Sequence, residues 1–133
     1  MTRTRIILDR FTIEGRYAIF HWDALEAACP FFGPENDEQF RVKTTLADHT
    51  GTLNVVLFKA ASTMLSLDVQ TALDSWTKCD SASHRFEFVA LLNKNSEVKM
   101  RFVCKGTLAT WEKDGQPKQY YDFIVRHVEF MPP

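Results

Sequence analysis

One stretch of the chain alternates apolar and polar side chains on both sides of a tight turn. Residues 40–46 change character at every second position, which is typical of a half-buried strand. Residues 48–51 follow, where Asp and Thr bond their own backbone and Gly tolerates a positive φ. Residues 53–58 then return as a second apolar-rich run. This pattern predicts a β-hairpin without fixing its turn type.

Further β-type segments lie towards the two ends of the chain. Short apolar and β-branched runs predict strands at residues 6–8, 11–13, 17–20, 85–92, 99–108 and 120–130. Two charged segments lie between elements. Residues 35–39 are predicted to form an acidic surface loop, and residues 112–118 a projecting loop between the last two strands.

Helical character is concentrated between the hairpin and the last strands. Residues 59–67 place apolar side chains at helical spacing, and Asp68 is the predicted N-cap of a second short helix. A shorter helical segment at residues 23–28 ends at Pro30, because proline cannot continue a helix. Trp22 and Trp76 lie in helical context and are predicted to pack in the core.

The order of elements is therefore strands, a helical excursion and strands again. A five-stranded Greek-key barrel with a helix between its third and fourth strands has this order, and that architecture is the OB-fold. We predict an all-β chain with a short helical insertion, although another small β-barrel or an α+β sheet has a compatible order. The 133 residues suit one domain, in which residues 1–16 are a first strand or an N-terminal extension.

The hairpin and the helix after it resemble the C-terminal OB domain of the large subunit of replication protein A and its relatives. The resemblance rests on the Ala-Asp-His-Thr-Gly run at residues 47–51, on Leu57-Phe58 at the strand end, and on the paired alanines at 60–61. Residues 100–105 and 124–130 are similar in kind to the last two strands of that family. The likeness spans roughly residues 17–130 and is specific around the hairpin.

The chain departs from that family between its first strands. Members usually insert a four-cysteine zinc ribbon there, and Cys29 resembles the start of that insertion. Residues 31–39, however, contain no Cys and no His, so residues 28–39 are interpreted as a shortened replacement of the ribbon. One thiolate cannot form a tetrahedral zinc site. We therefore predict no metal and no cofactor, with Phe31 and Phe32 packing in place of the ribbon.

The resemblance implies that the chain binds single-stranded nucleic acid without acting on it chemically. OB barrels stack bases on aromatic faces and follow the phosphates with a basic groove, so sequence preference is low. The net charge of −1 provides no bulk attraction to a polyanion. The distribution is more favourable, since residues 85–127 carry eight basic side chains against five acidic ones.

The predicted contact residues are aromatic and basic side chains near strand ends and in the charged loop. Trp111 lies outside any apolar run, and Phe58 ends a strand, although a plug of the barrel is the alternative role for Phe58. Tyr120 and Tyr121 straddle a strand start, so one is expected to point inward and the other outward. The remaining predicted contacts are Lys113, Lys118, Arg41, Lys43, Arg101 and Lys105.

Two functions of different classes stay open. The first is binding of single-stranded DNA, with RNA as a second substrate class. The second is an assembly subunit that docks a protein partner, which the near-neutral charge and the missing ribbon favour. Four scattered histidines, and the absence of a phosphate loop or nucleophile elbow in the sequence, argue against an enzyme.

The cellular setting follows from the same features. The three cysteines do not have the spacing of a disulfide framework, which suggests a reducing compartment. No apolar run approaches the length of a membrane span. The resemblance implies a nuclear location, a role in DNA replication and repair, and other OB-fold subunits as partners.

Overall fold

Five strands build the main sheet of the protein, for which the computed structural model describes residues 4–27, 32–33 and 36–132. These strands are β1 (Thr4–Tyr17), β4 (Val42–Asp48), β5 (Gly51–Leu57), β6 (Met100–Lys113) and β7 (Gln116–Phe130). They close into a barrel in the order β1-β4-β5-β7-β6, with β5 and β7 parallel and every other pair antiparallel. This is the predicted OB-fold, and the prediction is confirmed.

The hairpin at residues 40–58 has the expected register and turn chemistry. Along β4 and β5, Val42 pairs with Leu57 and Asp48 pairs with Gly51. The Asp48 carboxylate accepts hydrogen bonds from the backbone N–H groups of Thr50 at 2.7 Å and Gly51 at 3.1 Å. The side chain thus closes the turn that its position in the sequence predicts.

A separate two-stranded sheet joins β2 (Phe32–Gly33) to β3 (Asn36–Phe40). The prediction of a surface loop at residues 35–39 is therefore wrong for residues 36–39. This short strand pairs with β2 without alternating apolar residues in its sequence, and the buried side chain of Phe40 anchors its end. The side chains of Phe31 and Phe32, which were predicted to pack in place of the ribbon, lie outside the described part of the structure. Cys29 also lies outside it.

The helices contribute buried side chains to the same core as the barrel strands. Those in the described residues are α1 (Trp22–Ala27), α2 (Ala61–Leu65), α3 (Val69–Thr77) and α4 (Ala82–Asn93). The predicted cap of α3 is confirmed, because the Asp68 carboxylate accepts a hydrogen bond from the Thr71 N–H at 2.8 Å. The rings of Trp22 and Trp76 lie 5.6 Å apart and pack against the core, as predicted. Among the described residues, no helix is both long and apolar enough to cross a membrane.

The prediction of a strand at residues 85–92 is wrong, since this segment lies in α4. Alternating Phe86 and Phe88 suggested a strand, but the segment follows a helix N-cap, in which the Ser81 hydroxyl accepts a hydrogen bond from the His84 N–H at 3.3 Å. In the helix, Phe88 and Leu92 share one face and are buried, whereas Phe86 is 76% exposed. The two buried residues are four positions apart, so tertiary packing selects the period of a helix over the two-residue period of a strand.

The first strand and the last hairpin are longer than predicted. The separate runs at residues 6–8 and 11–13 belong to one strand, β1, with a register shift between Ile7 and Arg10. Residues 18–20, predicted as strand, follow its end. The predicted loop at residues 112–118 reduces to a turn at Asp114 and Gly115, whose φ values of 54° and 76° are those of a tight hairpin.

One close approach between strands requires a glycine. Gly15 lies where β1 begins to pair with β4, and a Cβ at this position would collide with the backbone carbonyl of Ala47. Only a residue without a side chain lets the two strands meet here. The core beneath this junction is apolar, with fully buried side chains that include Val42, Leu46, Leu57, Met100, Phe102 and Cys104.

Candidate nucleic-acid interface

A cleft opens where two neighbouring strands of the barrel separate. Strands β5 and β7 are paired only at Val56–Ile124 and Leu57–Val125. Past these pairs the strands diverge and leave a cleft of about 680 Å³, lined by residues 43–45, 52–56 and 120–123. The cleft therefore results from the early end of the parallel pairing.

A smaller pocket of about 240 Å³ extends the cleft towards the end of β5. It shares Lys43, Val56, Tyr120 and Asp122 with the larger space, so the two form one continuous surface, called here the β5–β7 cleft. The smaller pocket is lined by Arg41, Lys43, Val56, Phe58, Tyr120, Asp122 and Ile124.

Four residues predicted from the sequence as nucleic-acid contacts meet in this cleft. Arg41 and Lys43 project outward from the start of β4 and are exposed, because Phe40 and Val42 beside them are buried. Phe58, directly after β5, is 42% exposed, so the alternative role of a barrel plug is wrong. Tyr120 completes the set from β7.

Tyr120 and Tyr121 both line the cleft, with 60% and 48% of their surfaces exposed. As expected from strand alternation, the two rings lie on opposite faces of β7: Tyr121 shares the face of Phe123 and the buried Val125, and Tyr120 lies on the other face. Tyr121 lies parallel to Phe123, with ring centroids 6.2 Å apart, and Phe123 meets Phe11 edge-on at 5.9 Å. This aromatic row joins the cleft to the core.

Trp111, Lys113 and Lys118 lie on the arm formed by β6 and β7, farther out than Tyr120. Trp111 pairs with Lys118, and Ala109 pairs with Tyr120. Because side chains alternate along a strand, Trp111 and Lys118 share the face of the arm that carries Tyr120. These residues belong to strands and not to the predicted loop, and their role as contacts stays a prediction.

Arg101 and Lys105 lie outside the β5–β7 cleft. The Arg101 guanidinium is 3.6 Å from a Glu14 carboxylate oxygen and 3.5 Å from one of Glu129, which gives it ion-pair partners on both neighbouring strands. Lys105 is in register with Ile124 on one side and Arg10 on the other. It therefore shares a row with the cleft residue Ile124 but lies one strand farther round the barrel.

The two walls of the cleft differ in charge. Arg41 and Lys43 lie on the β4 side, and Asp122 is half-buried on the β7 side. Within the described residues, none of these three side chains forms an ion pair or a hydrogen bond with another side chain. A ligand in the cleft thus meets cations on one wall, a carboxylate on the other, and aromatic rings beside both.

Sequence reasoning missed several cleft residues, chiefly Asp122, Phe123 and Asn54. Asp122 had a usable signal, since it lies two positions after Tyr120 and must share its face of the strand. Asn54 had none, because its place depends on where β5 leaves β7. In the described part of the chain, no group of three or more His, Cys, Asp or Glu side chains is arranged to hold a metal.

Comparison with known proteins agrees with the fold. No family model matches the chain, and no curated protein matches its sequence. It is similar to a chain in a solved structure of a replication protein A heterotrimer bound to ssDNA, with a TM-score of 0.68 and 12% identity. The match covers 98% of this chain and 33% of that one, so this chain spans about a third of its length. At this identity the likeness establishes a shared fold.

Proposed function

We propose that the chain binds single-stranded DNA in the β5–β7 cleft and performs no chemistry on it. The observation that carries the proposal is the meeting of two exposed rings, Phe58 and Tyr120, with two cations, Arg41 and Lys43, in one open cleft. Neither cation has an ion-pair partner among the described residues. Exposed rings in a cleft of a small barrel leave apolar surface uncovered, which bases can cover by stacking.

Two interactions would hold each bound nucleotide: stacking of its base on a ring and neutralisation of its phosphate by a cation. Stacking of one base on an aromatic ring contributes about 1–3 kcal/mol, and it tolerates any base because every base has a π-face. Lysine and arginine on the β4 wall neutralise phosphates and release the counterions that the strand carried. With few cations in the cleft, we expect modest affinity and a shallow dependence on salt.

Fluorescence anisotropy of a labelled oligo-dT of about 20 nucleotides, titrated with the 133-residue chain at several salt concentrations, tests the proposal. We expect saturable binding that weakens as salt rises. A double-stranded oligonucleotide of the same length is the control, and it should bind less well because its bases are not free to stack. Absence of binding at low salt would contradict the proposal.

A second candidate function is assembly with a protein partner, and one observation favours it. The pairing of β5 with β7 ends after two residue pairs, so the facing edges of residues 52–55 and 120–123 are not joined to each other. Unpaired edges accept an extended peptide strand through main-chain hydrogen bonds. A protein that occupies the cleft in this way would compete with oligo-dT, and the two functions need not exclude each other.

The comparison structure supports the proposal only through its fold, since the bound ssDNA belongs to the replication protein A heterotrimer. Other OB-fold subunits as partners, a role in replication and repair, and a nuclear location remain proposals of the same kind. Co-purification of the tagged chain from cells, with and without nuclease treatment, separates partners held by protein contacts from those held by nucleic acid.

A further inference from the structure

We infer that Asp122 makes the β5–β7 cleft selective for guanine, an inference that rests on the proposed binding of single-stranded DNA. The carboxylate is half-buried on the β7 wall and lines both parts of the cleft. It has no ion-pair or hydrogen-bond partner among the described residues. A carboxylate in such a place is an acceptor that the fold itself leaves unused.

The charges of the two walls determine how a strand lies in the cleft. Phosphates are drawn to the β4 wall by Arg41 and Lys43 and are repelled from the β7 wall by Asp122. The sugar–phosphate chain therefore follows β4, and the bases turn towards β7. A base that stacks on Phe58 or Tyr120 then presents its edge near the carboxylate, since all three residues line the smaller pocket.

Guanine is the one DNA base whose edge presents two adjacent hydrogen-bond donors to a carboxylate. An ionised carboxylate accepts hydrogen bonds through both oxygens and donates none. The Watson–Crick edge of guanine carries N1–H and the N2 amino group side by side, which allows a bidentate contact. Thymine has one N–H between two carbonyl oxygens, and these oxygens are repelled by the carboxylate. The edges of cytosine and adenine each place an acceptor beside their amino group.

The expected preference has a measurable size. A good bidentate contact to a base edge discriminates against the wrong base by about tenfold. Stacking alone gives low sequence specificity, and the Asp122 contact adds a preference for guanine at one nucleotide position of the bound strand. We expect the remaining nucleotides to stay unselected, because Phe58 and Tyr120 act by stacking and Arg41 and Lys43 by neutralising phosphates.

The experiment compares oligo-dT with an oligo-dT in which isolated dG residues replace every fourth dT, at one low salt concentration. Lithium buffer with a chelator prevents guanine quadruplexes and metal bridges to the carboxylate. We expect the dG-containing strand to bind about tenfold more tightly. In Asp122→Asn, the amide donates where the carboxylate only accepted, so this advantage should disappear while binding of oligo-dT improves.

Glu87→Gln is the matched control, because it removes one negative charge from an exposed position on α4 and should leave the preference unchanged. Equal affinity of the wild-type chain for the two strands would overturn the inference while leaving the proposed function intact. An Asp122→Asn variant that strengthens binding of both strands by the same factor would also overturn it, since the carboxylate would then act only by repelling phosphate. If neither strand binds, the proposed function fails as well.

Discussion

Val56 of β5 pairs with Ile124 of β7, and past this pair the two strands separate around the cleft. Between these two strands the barrel closes through only two parallel pairs, and the cleft stays open beside them. The neighbouring antiparallel ladders are much longer: β6 and β7 are paired from Met100–Phe130 to Lys113–Gln116, with one register shift between Val103 and Cys104. The closed part supplies stability, and the open part supplies exposed rings and strand edges.

Replacing Phe58 with alanine should weaken binding of oligo-dT without unfolding the protein. The ring is 42% exposed, so its removal costs little core packing, but it loses a stacking surface worth about 1–3 kcal/mol of binding free energy. Anisotropy titrations give the affinity, and the urea midpoint gives the stability. Phe86→Ala is the control, since this ring is exposed on α4 away from the cleft. Equal loss in the two variants would contradict the assignment.

Replacing Lys43 with glutamine should reduce the salt dependence of binding. A lysine that neutralises one phosphate of a single strand contributes about 0.7 to the slope of log affinity against log salt. Titrations at four or more salt concentrations measure this slope. Lys78→Gln, at the C-terminal end of α3, removes the same charge from an exposed site outside the cleft and should leave the slope unchanged. A Lys43 variant with the wild-type slope would exclude this lysine as a phosphate contact.

Replacing Gly15 with alanine should destabilise the fold. The added Cβ would meet the Ala47 carbonyl at the junction of β1 and β4, and backbone cannot move aside as a flexible side chain would. Overpacking of this kind costs about 1–3 kcal/mol. The urea midpoint should fall accordingly, whereas Thr12→Ala, at an exposed position of the same strand, should change it little. Wild-type stability in the Gly15 variant would show that the two strands can separate.

Acid should destabilise the protein in part through two turn and cap carboxylates. Hydrogen bonds from Thr50 lower the pKa of Asp48 below its ordinary value of 3.8, and those from Thr71 lower the pKa of Asp68. Because the folded state holds the ionised form, this stabilisation is complete above the ordinary pKa and is lost as pH falls through the lowered one. The loss therefore occurs below about pH 4.

Urea midpoints at pH 7 and pH 3 for the wild type, Asp48→Asn and Asp68→Asn measure this contribution. An amide cannot ionise, so each variant should start less stable at neutral pH and lose less on acidification. Asp68 is exposed and Asp48 is only partly buried, so we expect each effect to be small. Variants that lose as much stability as the wild type between the two pH values would show that these hydrogen bonds do not favour the folded state.

Burial should protect one thiol from modification. Desolvation raises the pKa of Cys104 to about 11, and the side chain is fully buried in the barrel. The thiolate, which is the reactive form, is then scarce at neutral pH. Mass spectrometry after brief alkylation should find Cys104 unmodified in the native protein and modified in urea. Rapid native alkylation would show that the barrel opens often.

Local sequence patterns predicted the parts of the fold that depend on residues close together along the chain. The alternation at residues 40–46 and the Asp–Thr–Gly turn specified a hairpin because both signals depend on neighbours along the chain. The segment at residues 85–92 misled for the same reason: Phe86 and Phe88 alternate, but burial of Phe88 with Leu92 against the barrel determines a helix. Contacts from distant elements decide such ambiguous runs.

The candidate site was partly predictable on the same grounds. Arg41 and Lys43 followed from the alternation of a strand with one buried face, and Phe58 and Tyr120 from their places at strand ends. Asp122 and Asn54 face the cleft only because β5 and β7 diverge, and that divergence is a property of the closed sheet. A sequence pattern along one strand carries no information about where a partner strand departs.

Backbone amide chemical shifts of the isotopically labelled chain, followed by NMR as oligo-dT is added, locate the bound strand. We expect the largest changes at Lys43, Val56, Phe58 and Tyr120, which surround the β5–β7 cleft. The amides of α4, on the helical side, should remain in place. Changes confined to α4 or to the Arg101 face of the barrel, or no changes at saturating oligo-dT, would contradict binding in the cleft.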